Sequence, residues 1–250
     1  MLLPNITILP GFNIPTYFLV ISFAVCVALA WIYYRASRFN LSRTIALDLS
    51  LIVMVASFVG ARLFHILYEN FDYYRENPER VFYFWEGGFV YYGGALLAAF
   101  SAAIFLYIKS PKNLESYFDL FAPVMSLSYI LGRVGCFLTG CCYGKSCDLP
   151  WAVSGLHPTQ LYAIIFEIGA LITILGLEKQ KPEERKWTAL QKQGAVFYIW
   201  LILHAVGRLI MEHFRDDFRG PTVGISISSW ISFILIGLAV FLLTRKAPLR

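Results

Sequence analysis

Seven stretches of this chain are long and apolar enough to cross a bilayer, and they remove most other folds from consideration. A hydrocarbon core of about 30 Å needs about 20 residues of helix. Such runs lie near residues 15–34, 44–68, 88–108, 117–138, 158–177, 194–214 and 224–243. In hydrocarbon the backbone must satisfy its own N–H and C=O groups, which leaves helices or closed barrels. Runs of this length read as helices. The expected fold class is an all-α integral membrane protein of about seven transmembrane helices, with residues 1–250 forming a single polytopic membrane domain. Only 15% of the residues are charged and 58% are hydrophobic, whereas soluble domains carry about 25% charge. The net charge of +5 is therefore a matter of topology, and no nucleic-acid partner is expected. Residues 1–12 lack the basic start and apolar run of a cleavable signal.

Lys and Arg in the connections set the expected orientation. Odd-numbered connections plus the C-terminal tail carry thirteen, including Arg35, Arg38, Arg43, Lys109, Lys112, Lys186, Lys246 and Arg250. Even-numbered connections carry five: Arg75, Arg80, Lys145, Arg215 and Arg219. The N-terminus is thus expected outside and the C-terminus in the cytoplasm. Residues 71–88 become an external connecting segment and 178–193 a charged cytoplasmic linker.

Three arginines remain inside the apolar runs: Arg62, Arg133 and Arg208. A guanidinium does not deprotonate, so each must meet an anion or reach water. The orientation puts all three in the outer half of outward-running helices, which points to a shared lipid phosphate. Snorkelling to the headgroups, or structural salt bridges, would also account for them.

Two further segments carry candidate chemistry. Gly132, Gly135, Gly140 and Gly144 loosen the chain around Arg133 and let backbone approach a ligand. His157 and Gln160 flank Pro158, a residue suited to the first turn of a helix. Glu167 lies deeper and needs a partner. In the sixth run, His204, Arg208, Glu212 and Arg215 fall within an arc of about 80°, making one polar stripe. Arg208 and Glu212 are spaced to pair with each other.

These pieces together resemble the prolipoprotein diacylglyceryl transferase family, whose signature is G-R-x-G-N-F-x-N-G-E. Gly132, Arg133, Gly135, Phe137 and Gly140 keep its register. Gly60-Ala61-Arg62-Leu63, Asp72-Tyr73-Tyr74, Gly87-Gly88 with Gly93-Gly94, and His157-Pro158-Thr159-Gln160-Leu161-Tyr162 are also similar, as are Arg208, Glu212 and Phe214-Arg215-Asp216. The chain departs from the family at Cys136 and Thr139, which replace the two Asn, and at Cys141, which replaces the Glu. Tyr92 stands for the His of an H-G-G motif, and Ala163 stands where many members have Glu.

The resemblance implies a bacterial inner-membrane enzyme that moves a diacylglyceryl group from phosphatidylglycerol to the cysteine thiol of a prolipoprotein, releasing glycerol phosphate. It implies no cofactor. Catalytic roles are expected at Arg133, Arg208, Tyr92 and Glu212. Arg62, Arg133, Arg208 and Arg215 are expected to bind lipid phosphate. His157, Gln160, Tyr17, Gly132, Gly135 and Gly140 are expected to support them. Tyr92, His157 or Glu212 would take the thiol's proton. The altered signature leaves room for a paralogue with another acceptor, a thiol oxidoreductase, or a non-catalytic lipid-binding protein.

Cys136, Cys141, Cys142 and Cys147 cluster along the chain, while Cys26 stands alone. An outward-facing cluster permits disulfides, and four cysteines allow three complete pairings. A structural disulfide is expected, with a reactive thiol beside Arg133 as the other option. The spacing is unlike paired C-x-x-C knuckles, so no metal is expected.

Overall fold

The computed structural model describes residues 5–9, 12–84, 87–185, 187–216 and 225–245. Lys186, Arg219, Lys246 and Arg250, counted above for orientation, lie outside the described residues. A short antiparallel hairpin comes first, β1 (Asn5–Leu9) with β2 (Phe12–Pro15). Eight α-helices follow: α1 (Thr16–Arg38), α2 (Arg43–Phe64), the short α3 (Phe71–Glu76), α4 (Tyr91–Lys109), α5 (Leu114–Thr139), α6 (Thr159–Lys179), α7 (Ala195–Phe214) and α8 (Ile227–Thr244). All but α3 are long and apolar enough to span a membrane, so the seven expected spans are present among the described residues. Large apolar side chains stand exposed on these helices, among them Phe100, Ile165, Ile172, Ile234 and Phe241. Such surface is at home in lipid. The chain is a multi-pass membrane protein.

The expectation of one polytopic domain covers helices that sort into two compact units, residues 1–31 with 118–250, and residues 32–117. In the second unit α2 and α4 pack backbone to backbone. A Cβ on Gly60 would lie 2.4 Å from the Gly93 carbonyl oxygen, and one on Gly94 would lie 2.7 Å from that of Ser57. Small residues allow such approach where lipid offers no hydrophobic drive between helices. Ser42 caps α2 by accepting from the Ile45 N–H. At its far end α2 runs into a single π turn, His65–Glu69.

In the first unit the core comprises Ala122, Ile174, Val196 and Trp200, from α5, α6 and α7. Ala195, Tyr198, Ala239 and Leu243 join α7 to α8. The start of α7 is capped from a neighbouring helix. Asp119 of α5 accepts from the Gly194 N–H at 2.8 Å and the Phe197 N–H at 2.9 Å. A carboxylate there satisfies orphan donors and complements the helix dipole. Gly194 takes φ 84°, a left-handed turn that a glycine adopts freely. Within the expected linker, Arg185 is buried and donates to the Leu190 carbonyl, so this segment folds back on itself.

Candidate functional site

In the first unit, α5 ends in a thiol-rich turn. Thr139 is the last helical residue and its hydroxyl donates back to the Gly135 carbonyl at 2.9 Å. Gly140 then takes φ 76° and Cys142 takes φ 67°. Positive φ is uncommon for a side chain such as Cys and requires surroundings that hold it. Here the start of α6 does so. The Thr159 hydroxyl donates to the Cys142 carbonyl at 2.7 Å, and the Gln160 side-chain amide donates to the Cys141 carbonyl. Farther along, the Gly144 N–H donates to His157 at 3.0 Å and the Lys145 N–H to Phe214 at 2.9 Å. A Cβ at Gly144 would lie 2.5 Å from the Phe214 carbonyl oxygen. One turn is thus tied to the start of α6 and the end of α7.

This turn brings together several expected site residues. The sulfurs of Cys136, Cys141 and Cys142 lie within 4.8 Å of one another. Arg215, just past α7, donates to the Cys142 sulfur, and Arg133 lies within electrostatic reach of both Cys136 and Cys142. The Cys142 thiol is pulled down to about 5, first by the hydrogen bond from Cys136 and then by Arg215. Burial pushes the Cys141 thiol up. Tyr17 of α1 packs against Gly135, where a Cβ would lie 3.2 Å from its ring. All five cysteines are free thiols. The expected disulfide is not formed in this structure, where three of the sulfurs gather at one point. Cys147 is buried and its sulfur accepts the Leu149 N–H at 3.4 Å.

Arg133 lies on α5 with its guanidinium 4.9 Å from the centre of the Tyr129 ring. Among the described residues no carboxylate forms an ion pair with it. A Cβ at Gly132 would meet nothing within 4 Å, so packing does not demand glycine there. Tyr129 meets His204 edge-on at 4.7 Å. His204 pairs through Nδ1 with Glu167 at 2.9 Å, and Trp200 donates to the same carboxylate at 2.8 Å. That supplies the partner Glu167 requires at 2% exposure.

The polar stripe on α7 is divided among three neighbours. His204 goes to Glu167 on α6 and Arg215 to Cys142. Arg208 donates from Nη2 to Ser228 of α8 at 2.7 Å, and the same nitrogen is 3.9 Å from Glu212. Its Nε and Nη1 have no partner among the described residues. His157 pairs with the Tyr162 hydroxyl at 3.2 Å and packs against Phe214.

Arg62 and Tyr92 belong to the other unit. Arg62 spends all three nitrogens on backbone. Nε donates to Val81, Nη1 to Gly87 and Gly88, and Nη2 to Arg80 and Tyr83, while the group also lies over the Tyr74 ring. Gly87 and Gly88 take φ 88° and 77°, turning their carbonyls to it. Tyr92 sits in the first turn of α4, edge-on to Tyr91.

Sequence reasoning passed over four residues. Thr159 and Ser228 hold site residues in place, and their signal was a hydroxyl at a helix start and in an otherwise apolar helix. Tyr129 lies one turn before Arg133. His65 sits in the π turn, paired with Glu69 at 2.7 Å and beside Gly88. Such turns are frequent at functional sites, but nothing in the residues marks one.

The sequence profile described as prolipoprotein diacylglyceryl transferase matches residues 4–245. A phosphatidylglycerol–prolipoprotein diacylglyceryl transferase of Clostridium tetani is 30% identical over 94% of this chain and 95% of its own length. The protein of that name from Idiomarina loihiensis is 30% identical, covering 89% of this chain and 86% of its own length. One from Streptococcus pneumoniae is also 30% identical, over 81% of this chain and 79% of its own length. The match runs through all seven spans and both of the turns that hold arginine, and the chain belongs to the prolipoprotein diacylglyceryl transferase family.

Proposed function

We propose that this chain moves the diacylglyceryl group of phosphatidylglycerol onto the cysteine thiol of a prolipoprotein and releases glycerol phosphate. Family membership over nearly the whole chain supports the reaction. The observation that carries the residue assignment is Arg133. It is an intramembrane guanidinium with no carboxylate partner among the described residues. A fixed cation in a medium of low dielectric calls for an anion, and a lipid phosphate is the anion a membrane supplies.

As the bond to the glyceryl carbon breaks, charge builds on the departing phosphate. Donors already in place stabilise it there more than they would in water. Arg133 supplies that charge, with Arg215, which donates to Cys142, and Arg208 on α7 beside them in this role. Arg62, whose donors are committed to carbonyls, supports its own loop. His157 and Glu212, in the unit of Arg133, and Tyr92 are the ionisable candidates for the acceptor's proton.

The enzyme resides in the bacterial cytoplasmic membrane with its N-terminus outside. Reporter fusions should read external at Arg75 and cytoplasmic at Arg250, and the reverse pattern overturns the orientation. The function is tested by incubating pure protein with labelled phosphatidylglycerol and a lipobox peptide. Mass spectrometry should find the diacylglyceryl group on the peptide cysteine. A peptide left unmodified while glycerol phosphate is released would assign another acceptor.

A further inference from the structure

Cys136, Cys141 and Cys142 have no role in the reaction as described, yet the fold is arranged to bring them together. Cys136 lies in the last turn of α5. Cys141 and Cys142 come back to it across Gly140, through a left-handed Cys142 whose carbonyl is held by Thr159. The Cys141 N–H donates to the Cys136 carbonyl at 3.1 Å, which closes the loop. A disulfide would use two of the sulfurs and strand the third, and joining adjacent cysteines strains the backbone.

Three sulfurs at one point suit a different partner. Zinc binds thiolate at about 2.3 Å in a tetrahedron, which sets sulfurs about 3.8 Å apart. These sulfurs, within 4.8 Å of one another, close to that spacing by side-chain rotation. Catalytic zinc keeps three protein ligands and leaves its fourth position open. Here Cys141 is exposed while Cys136 and Cys142 are half-buried, so the cluster opens to one side. Three thiolates around zinc carry one net negative charge, and the guanidiniums of Arg133 and Arg215 are in reach to balance it.

We propose that Cys136, Cys141 and Cys142 bind one zinc ion as three thiolates, and that its fourth position takes the acceptor cysteine and activates it. The proposal rests on the transferase reading above. A free cysteine thiol has a pKa of about 8.5 and is mostly protonated at neutral pH, whereas a thiol coordinated to zinc is deprotonated. In the step that follows, the acceptor thiol gives its proton to water as its sulfur binds the metal. The bound sulfur attacks the glyceryl carbon that carries the phosphate. A C–S bond forms, the C–O bond breaks, and the electron pair leaves on oxygen with glycerol phosphate as its dianion. No electrons are gained or lost overall. Two of the three ligands, Cys136 and Cys141, stand where the family signature has Asn and Glu.

The test uses the full chain, purified in detergent under reducing conditions without chelator. Elemental analysis should give one zinc per chain, and Cys142→Ser should lose it, while Cys26→Ser retains it. X-ray absorption should show three sulfur neighbours, rising to four when a lipobox peptide is added without lipid. Stripping the metal should abolish transfer to that peptide, and zinc should restore it. Zinc with no fourth sulfur on adding peptide, copper(I) in its place, or full transfer by a zinc-free chain would each overturn the proposal. The last outcome would leave the transferase reading standing. A four-sulfur zinc site with no transfer from phosphatidylglycerol would support the thiol site and sink the transferase reading instead.

Discussion

Two arginines of equal sequence character are expected to fail in opposite ways when changed to glutamine. Arg62 is 8% exposed and donates to five backbone carbonyls from three nitrogens. A glutamine amide has two N–H donors, so at least three of those carbonyls lose this partner. A buried polar group left unpaired costs about 1–3 kcal/mol. These carbonyls are part-buried, so the low end applies, and the sum is about 3 kcal/mol. At about 2–4 °C per kcal/mol for a chain of this size, Tm should fall by about 6–12 °C.

Among the described residues Arg133 makes no comparable set of bonds, and its guanidinium lies 4.9 Å from the centre of the Tyr129 ring. Arg133→Gln should leave Tm nearly unchanged. Its turnover should drop by about 100- to 1000-fold, the usual cost of losing a donor aimed at developing charge. Lysine at 133 should rescue only in part, because an ammonium cannot present two parallel donors to phosphate. Thermal unfolding in detergent and labelled-lipid transfer, measured on the same preparations, separate the two effects. A stable but inactive Arg62→Gln, with a fully active Arg133→Gln, would show that the roles are reversed.

Asp119→Ala removes the carboxylate that caps α7, and should cost about 0.5–2 kcal/mol of stability while activity per folded molecule is retained. Unfolding curves against the parent decide this, and an unchanged curve would show the cap to be idle. The Cys142 thiol, depressed to about 5 in the fold, should alkylate at a level rate from pH 8 down to about pH 6 in metal-free reduced protein. Its stability contribution has the sign of a lowered acid. It is fully present above the unfolded thiol's range and is lost as pH falls through about 5. Cys136→Ala removes the leading hydrogen bond and should move the alkylation midpoint upward, and an unmoved midpoint would refute that cause.

The seven spans were legible because hydrocarbon imposes one length and one composition on any helix that crosses it. The expected run at 15–34 became Thr16–Arg38, and that at 194–214 became Ala195–Phe214. Boundaries moved by a few residues, and side chains that cap helix starts are seen at Ser42 and Asp119. The β1–β2 hairpin and the π turn at His65–Glu69 were not foreseen, since neither leaves a periodic trace over so few residues. The helical stripe of His204, Arg208, Glu212 and Arg215 was legible as a face, because helical angles follow from spacing alone. Its division among Glu167, Ser228 and Cys142 was not, because that depends on which helix stands beside each turn.

Arginine at membrane depth states a need and not how the need is met. For Arg62 the answer came from a loop some 20 residues onward, where two glycines in left-handed turns present carbonyls that no side chain pattern announces. For Arg133 the loop after α5 presents thiols instead, and among the described residues no set of carbonyls closes over the guanidinium. The same division explains the cysteines. Linear spacing measures separation along the chain, whereas the positive φ of Gly140 and Cys142 folds that separation back on itself and brings three sulfurs within 4.8 Å. A donor set built by one turn can thus be as compact as one built from paired knuckles, and it is best sought where a glycine ends a helix between cysteines.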